Sequence, residues 1–277
     1  MRFDLLSGKP LRIIAGVILL FNGFFPALWI VFTSLKTESE LRVTPIHYLP
    51  TDPTLANYVR AFTNQPLLLY LFNSLFIAVC STALTLFVAT LAAYALARLR
   101  LRFRGLILSV IIAVSTFPLV TLLVPLFQMM RSLGLLNSYL ALILPYTVLS
   151  VPVCTLVLVS FFDGIPRDLE SAAMVDGCTR IGALFKIVVP LSAPGVFTAG
   201  ILAFVNAWDE FLLALSLNSS PTFRTLPVGI TLYQGEFTFP WPTISAALVV
   251  GIVPVAILIM IFQERVVSGL TTGGIKG

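Results

Sequence analysis

Six apolar runs, each long enough to cross a bilayer as a helix, constrain what this 277-residue chain can fold into more than any other feature. They fall at about residues 11–35, 68–97, 106–129, 139–159, 196–217 and 243–262. About 20 apolar residues in a helix span the roughly 30 Å of hydrocarbon, and a backbone surrounded by lipid has to satisfy its N–H and C=O groups internally. Continuous runs meet that demand as helices, whereas a barrel needs an apolar–polar alternation that these segments lack. With 58% hydrophobic and 10% charged residues, little polar surface is left for a soluble domain. The expectation is an all-α membrane protein: a single transmembrane domain of six helices over residues 1–277.

Lysine and arginine set the orientation. Arg2, Lys9 and Arg12 lie at the start of the chain; Arg98, Arg100, Arg102 and Arg104 follow the second run; Arg167, Arg180 and Lys186 sit between the fourth and fifth. Arg265 and Lys276 occupy the tail, residues 263–277, while the alternate segments hold Lys36, Arg42, Arg60, Arg131 and Arg224. This bias places both termini and the segment between runs four and five in the cytoplasm. The first run has the basic start of a signal peptide but is too long and lacks a convincing cleavage site, so it is expected to remain as an anchor. The arginine cluster reads as a topology signal and a contact for lipid headgroups. The formal charge of +5 is scattered between spans and forms no concentrated face for nucleic acid.

Residues 163–194, DGIPRDLESAAMVDGCTRIGALFKIVVPLSAP, form a polar island in this apolar background. Pro166 suits the first turn of a short helix and Gly177 marks its end. Leu169, Ala172, Ala173 and Asp176 recur at helical spacing, giving one face dominated by small or apolar groups on which a partner backbone could pack closely. Thr179 can cap a second segment with Ile181, Leu184, Phe185 and Val188 on its apolar side, stopping before Pro190. Periodicity alone leaves two readings open: a docking surface, or two interfacial helices that tie neighbouring spans together.

Pro118 and Pro125 interrupt the third run, and Pro145 and Pro152 the fourth, where each can bend a membrane helix. Small residues in the AAYALAR stretch, 92–98, suit close helix packing. In the fifth run Asn206, Asp209 and Glu210 have i, i+3 and i+4 spacing and share one helical side. Charge at membrane depth is costly, so that side is expected to face protein or water, as a pathway lining or as a buried network. Trp208 can anchor at the interface or offer its ring for stacking. A short helix is expected around residues 55–62 of the first outer loop. The last outer loop has an aromatic edge of Tyr233, Phe237, Phe239 and Trp241.

No residue set supplies an enzyme centre. Cys80, Cys154 and Cys178 have no paired spacing, and His47 is the single histidine. The phosphate loop GxxxxGK[ST], the zinc site HExxH and the nucleophile elbow GxSxG are all missing from the sequence.

The island carries a family resemblance. Ser171, Ala172, Ala173, Gly177, Ile187 and Pro190 match the cytoplasmic Glu-Ala-Ala loop of importer permeases driven by an ATP-binding cassette (ABC). In that pattern Glu-Ala-Ala is followed by three residues and Gly, then nine residues, Ile, one residue, Leu and Pro. Here Ser171 replaces the Glu, with Glu170 just before it, and Val189 replaces the Leu. Asp176 before Gly177 is similar to the carbohydrate branch, the maltose-type second permease subunit. So are Asn73-Ser74, the AAYALAR run, the residues Ala203, Trp208, Asp209, Glu210 and Phe211, and the tail with its Gly-x-x-Lys-Gly end.

The resemblance implies a six-helix importer permease whose coupling helix lies between spans four and five. Leu169, Glu170, Ser171, Ala172, Ala173, Asp176, Gly177, Ile187 and Pro190 would then engage an ATPase, with tail contacts from Gly273, Gly274 and Lys276. It implies as partners a second homologous permease, two ABC subunits and an extracytoplasmic solute-binding protein, in a bacterial inner membrane. ATP and Mg would sit on the ATPase subunits, with no cofactor on this chain. The substrate implied is a sugar or oligosaccharide. A glycerol phosphate or polyol importer is the nearest alternative, and a secondary transporter or a membrane receptor or assembly protein is more distant. The paired glycines also fit a flexible or tight-turn tail.

Overall fold

The computed structural model describes the backbone of residues 9–99, 101–235 and 238–274, and the side chains of 13–99, 101–235 and 238–262. In chain order the helices are α1 (Lys9–Ser34), α2 (Ala56–Asn64), α3 (Leu67–Arg98), α4 (Arg104–Ser115), α5 (Leu119–Ser132), α6 (Leu140–Asp163), α7 (Arg167–Val175), α8 (Arg180–Ala183), α9 (Val189–Leu191), α10 (Ala193–Asp209), α11 (Leu212–Leu217), α12 (Leu226–Thr231) and α13 (Trp241–Gly274). Among the described residues, four stretches are each long and apolar enough to cross a membrane: Ile13–Ser34, Leu67–Arg98, Leu140–Asp163 and Trp241–Phe262. Two more qualify only as bent pairs, so the number of crossings is four, or up to six if each pair is one span.

The first bent pair is α4 with α5, turned by 90°. The run at 106–129 is therefore two helices. Pro118 has no N–H to give to the preceding turn, and its ring disfavours helical backbone at Phe117, so the break falls there. Pro125, Pro145 and Pro152 stay inside helices. The second pair joins Arg180–Leu191 to α10 at 84°. Within it a π-turn over Leu184–Val188 leads into α9, so this segment runs through Pro190 instead of stopping before it. Pro190 follows the π-turn directly within helical backbone, so its missing N–H leaves a carbonyl of that turn without the usual donor, which fits the local departure from regular helix.

The run at 196–217 also breaks. Helix α10 ends at Asp209, Glu210 is extended at φ −68°, ψ 126°, and α11 starts at Leu212. At the C-terminal end, α13 continues through Gly273 and Gly274 as helix, which corrects the expected tight turn at those glycines. Lys276 lies outside the described residues.

The chain forms two compact units, one comprising residues up to Leu67 with Gly229–Val253, the other Leu68–Val228 with residues from Pro254 onward. In the first, α2 is the short helix expected near residues 55–62, and it fastens the loop that follows α1. The buried Asn57 amide donates to Ser34 O and Lys36 O, each at 2.8 Å, and the Tyr233 hydroxyl bonds Ala61 O. In the second unit, Ala89, Ala93 and Ala97 of α3 let its backbone approach α6 and α10, whose Cys154, Leu158, Phe162, Ala199 and Ala203 complete one buried core with Leu184 and Val188. This core carries the island on its rim.

Candidate functional site

A helix leaves its last four carbonyls without partners inside the helix. At the end of α3 one of these is taken by the island: Arg167 Nη2 donates to Ala97 O at 3.1 Å. In return Arg98 Nη2 reaches Ile165 O, just before α7, at 3.0 Å. Arg98 Nε also lies 3.2 Å from Glu170 Oε2, an ion-pair contact off the line of a hydrogen bond. The two side chains are only 5% and 9% exposed. The Tyr94 hydroxyl donates to Glu170 Oε1, with Arg180 O 3.2 Å away as a second acceptor. Glu170 in the first turn of α7 is also favoured by the helix dipole. Beside this cluster, Arg104 at the start of α4 pairs with Asp163 at the end of α6.

α7 ends as its sequence predicts, with Gly177 in left-handed backbone at φ 89°. Thr179 caps α8, accepting from Gly182 N at 3.0 Å. The face expected from spacing is split, however. Glu170 and Ala173 turn inward, while Leu169, Ser171, Ala172 and Asp176 are exposed together with Val175. In the second island segment Leu184 and Val188 are buried, but Ile181 and Phe185 point outward; Ile187 is half-buried and Pro190 exposed.

The fifth-run residues do not share one side. Asn206 and Asp209 are exposed on α10. Glu210 lies beyond the helix end and folds back to accept Leu213 N at 2.8 Å, Ala214 N at 3.1 Å and the Tyr146 hydroxyl at 2.7 Å. It thus satisfies orphan donors of α11. Trp208 is buried and stacked on Phe204 at 5.8 Å, neither on an open surface nor at an exposed interface.

Sequence reasoning missed a second fastening. Asn73 Nδ2 donates to Thr222 O and Arg224 O, both at 2.9 Å, and its Oδ1 accepts from the Tyr139 hydroxyl at 2.9 Å. Leu226 N donates to Ser74 Oγ at 2.8 Å. These residues pin the loop after α11 to the start of α3. The Asn-Ser pair was visible in the sequence, but its partners lie far along the chain.

Apolar helices of membrane length and a polar island fastened to the end of one of them define a multi-pass α-helical membrane protein. The family model for the binding-protein-dependent transport system inner membrane component matches residues 85–272, and the chain belongs to that family. It is 78% identical over 271 residues to the sulfoquinovosyl glycerol transport system permease protein of Agrobacterium fabrum, covering 98% of this chain and 95% of that one. The trehalose/maltose transport system permease protein of Thermococcus litoralis is 37% identical over the full length of both chains. Among solved structures, a chain of a bacterial ABC transporter that imports the acidic polysaccharide alginate matches with a TM-score of 0.80 at 22% identity, over 95% of this chain and 98% of that one. The protein is a non-catalytic permease of the carbohydrate group of ABC importers.

Proposed function

We propose that this chain is one of two permease subunits of an ATP-driven importer for a sugar–glycerol conjugate of the sulfoquinovosyl glycerol type. The 78% identity to the Agrobacterium permease, sustained over almost the whole of both chains, is the observation that carries this reading. In it the chain crosses the inner membrane six times, each bent helix pair counting as one crossing, with both termini and the island in the cytoplasm. An extracytoplasmic binding protein delivers solute, a second homologous permease completes the pathway, and two ATPase subunits engage α7 through Leu169, Ser171, Ala172 and Asp176. Gly273, Gly274 and Lys276 add a tail contact. ATP and Mg act on the ATPases. The tight fastening of α7 to α3 supports the mechanical part: a displacement of α7 reaches a membrane helix through one buried cluster instead of a slack loop.

Reconstitution with the neighbouring binding protein, permease and ATPase in proteoliposomes tests the reading. ATP-dependent uptake of sulfoquinovosyl glycerol, competed weakly by trehalose, maltose and glycerol phosphate, is the expected outcome. Preferential uptake of any competitor, or uptake without ATPase, overturns it. Ala172→Trp places a large ring on the exposed face of α7 and is expected to reduce ATPase co-purification while membrane insertion is retained.

A further inference from the structure

Beside α7 lies a cavity of about 530 Å³, lined chiefly by Tyr94, Arg98, Arg167, Glu170, Ser171 and Arg180. Its charges do not balance. Glu170 is committed to Arg98 and to the Tyr94 hydroxyl at the buried end. Arg167 spends one Nη2 on Ala97 O, and Arg180 offers only its backbone carbonyl to Tyr94. Among the described residues neither of these exposed guanidiniums makes an ion pair. Ser171, where the Glu-Ala-Ala pattern has a carboxylate, turns its hydroxyl back to Arg167 O at 3.1 Å and adds no negative charge. The cavity therefore has a neutralised floor and a rim with two unmatched positive charges.

We propose that this cavity is a socket for an aspartate or glutamate side chain of the ATPase subunit, which makes this contact cationic on the permease side. The inference rests on the reading of α7 as the ATPase-docking helix. One wall of the cavity is α7 itself, whose neighbouring outward residues Leu169, Ala172 and Val175 are uncharged and suit a protein surface. A partner lying on that surface passes over the cavity mouth and strips water from Arg167 and Arg180. Covering an unpaired charge is strongly unfavourable unless the partner brings an opposite one. A carboxylate entering the cavity faces a lining that includes Arg167, Ser171 and Arg180, and a guanidinium matches a planar carboxylate in a two-pronged contact.

Arg180 is the cleaner probe, because Arg167 also holds the end of α3. In the assembled transporter in nanodiscs, Arg180→Glu is expected to weaken ATPase association about tenfold or more, with Arg180→Lys retaining most of it. Reversal of one ATPase carboxylate to Lys is expected to restore binding to the Arg180→Glu chain. Unchanged association of Arg180→Glu overturns the socket while leaving the docking role of α7 intact. Weakening that no ATPase reversal rescues, but that tracks added inorganic phosphate or the anionic lipid content of the disc, assigns the cavity to phosphate and also overturns it. Failure of the unaltered chain to bind ATPase at all overturns the functional reading beneath it.

Discussion

Glu170 and Arg98 show how a charged pair can serve a chain that has few charges. Removing one partner of a buried ion pair leaves the other uncompensated, at about 3–5 kcal/mol, whereas replacing both with apolar groups is far less disruptive. Arg98→Met and Glu170→Leu are each expected to lower the thermal unfolding midpoint in detergent, and the double variant to lose much less than the two losses combined. Simple additivity in that cycle would argue against a direct pair.

Glu40, in the loop after α1, behaves differently. Burial pushes its carboxyl up, but the Thr51 backbone and hydroxyl and the charges of Lys36 and His47 outweigh that and hold it below its ordinary value of 4.5. Because the folded value is the lower one, the stabilisation is fully present above about pH 4.5 and is lost as pH falls through the folded value. Hydrogen exchange at the Thr51 amide, 2.7 Å from Glu40 Oε1, is expected to speed up on acidification beyond its intrinsic pH trend, and Glu40→Gln to abolish that extra dependence.

At the scale of whole elements, close approach of α6 and α10 depends on Gly195. A Cβ there would sit 2.4 Å from Phe161 Cγ and 2.9 Å from Phe161 Cβ, too near the root of the side chain for the ring to swing clear. Gly195→Ala is expected to destabilise the purified protein by about 1–3 kcal/mol, and Phe161→Ala in the same chain to recover part of the loss. Unfolding midpoints of the unaltered chain and the two variants check this.

The existence of these elements was legible in the sequence: length and hydropathy announce the long helices, and Pro166, Gly177 and Thr179 bracket the island helices with specific end signals. Their directions were less so. Hydropathy is blind to a 90° turn at Phe117-Pro118, and the i, i+3, i+4 spacing of Asn206, Asp209 and Glu210 lost its meaning once Glu210 left the helix to satisfy α11. A helical wheel fixes angles between residues but not which side turns inward. The face drawn through Ala172 and Ala173 thus missed that Glu170 and Ala173 both turn inward, Glu170 onto Tyr94 and Arg98 of α3. Tyr94 and Arg98 were in view within AAYALAR, yet their roles depend on a partner helix far along the chain.

For the molecule as a whole, orientation decides whether the island can meet a soluble motor. Cys178 is a native reporter within it. In a chain with Cys80 and Cys154 replaced by Ser, a membrane-impermeant maleimide is expected to label Cys178 in inside-out vesicles and not in intact spheroplasts. Labelling from the outer side would reverse the topology and remove the island from any ATPase.

The π-turn at Leu184–Val188 carries a mechanical consequence. A five-residue hydrogen-bond loop holds one residue more than the regular helical repeat, so the chain between the island and α10 stores a single unit of slack. Rewinding that turn into ordinary helix would screw the downstream end by about 100° and shift it by about 1.5 Å. Because Leu184 and Val188 share one buried core with Ala199 and Ala203 of α10, such a rotation cannot stay local: it carries those core contacts with it.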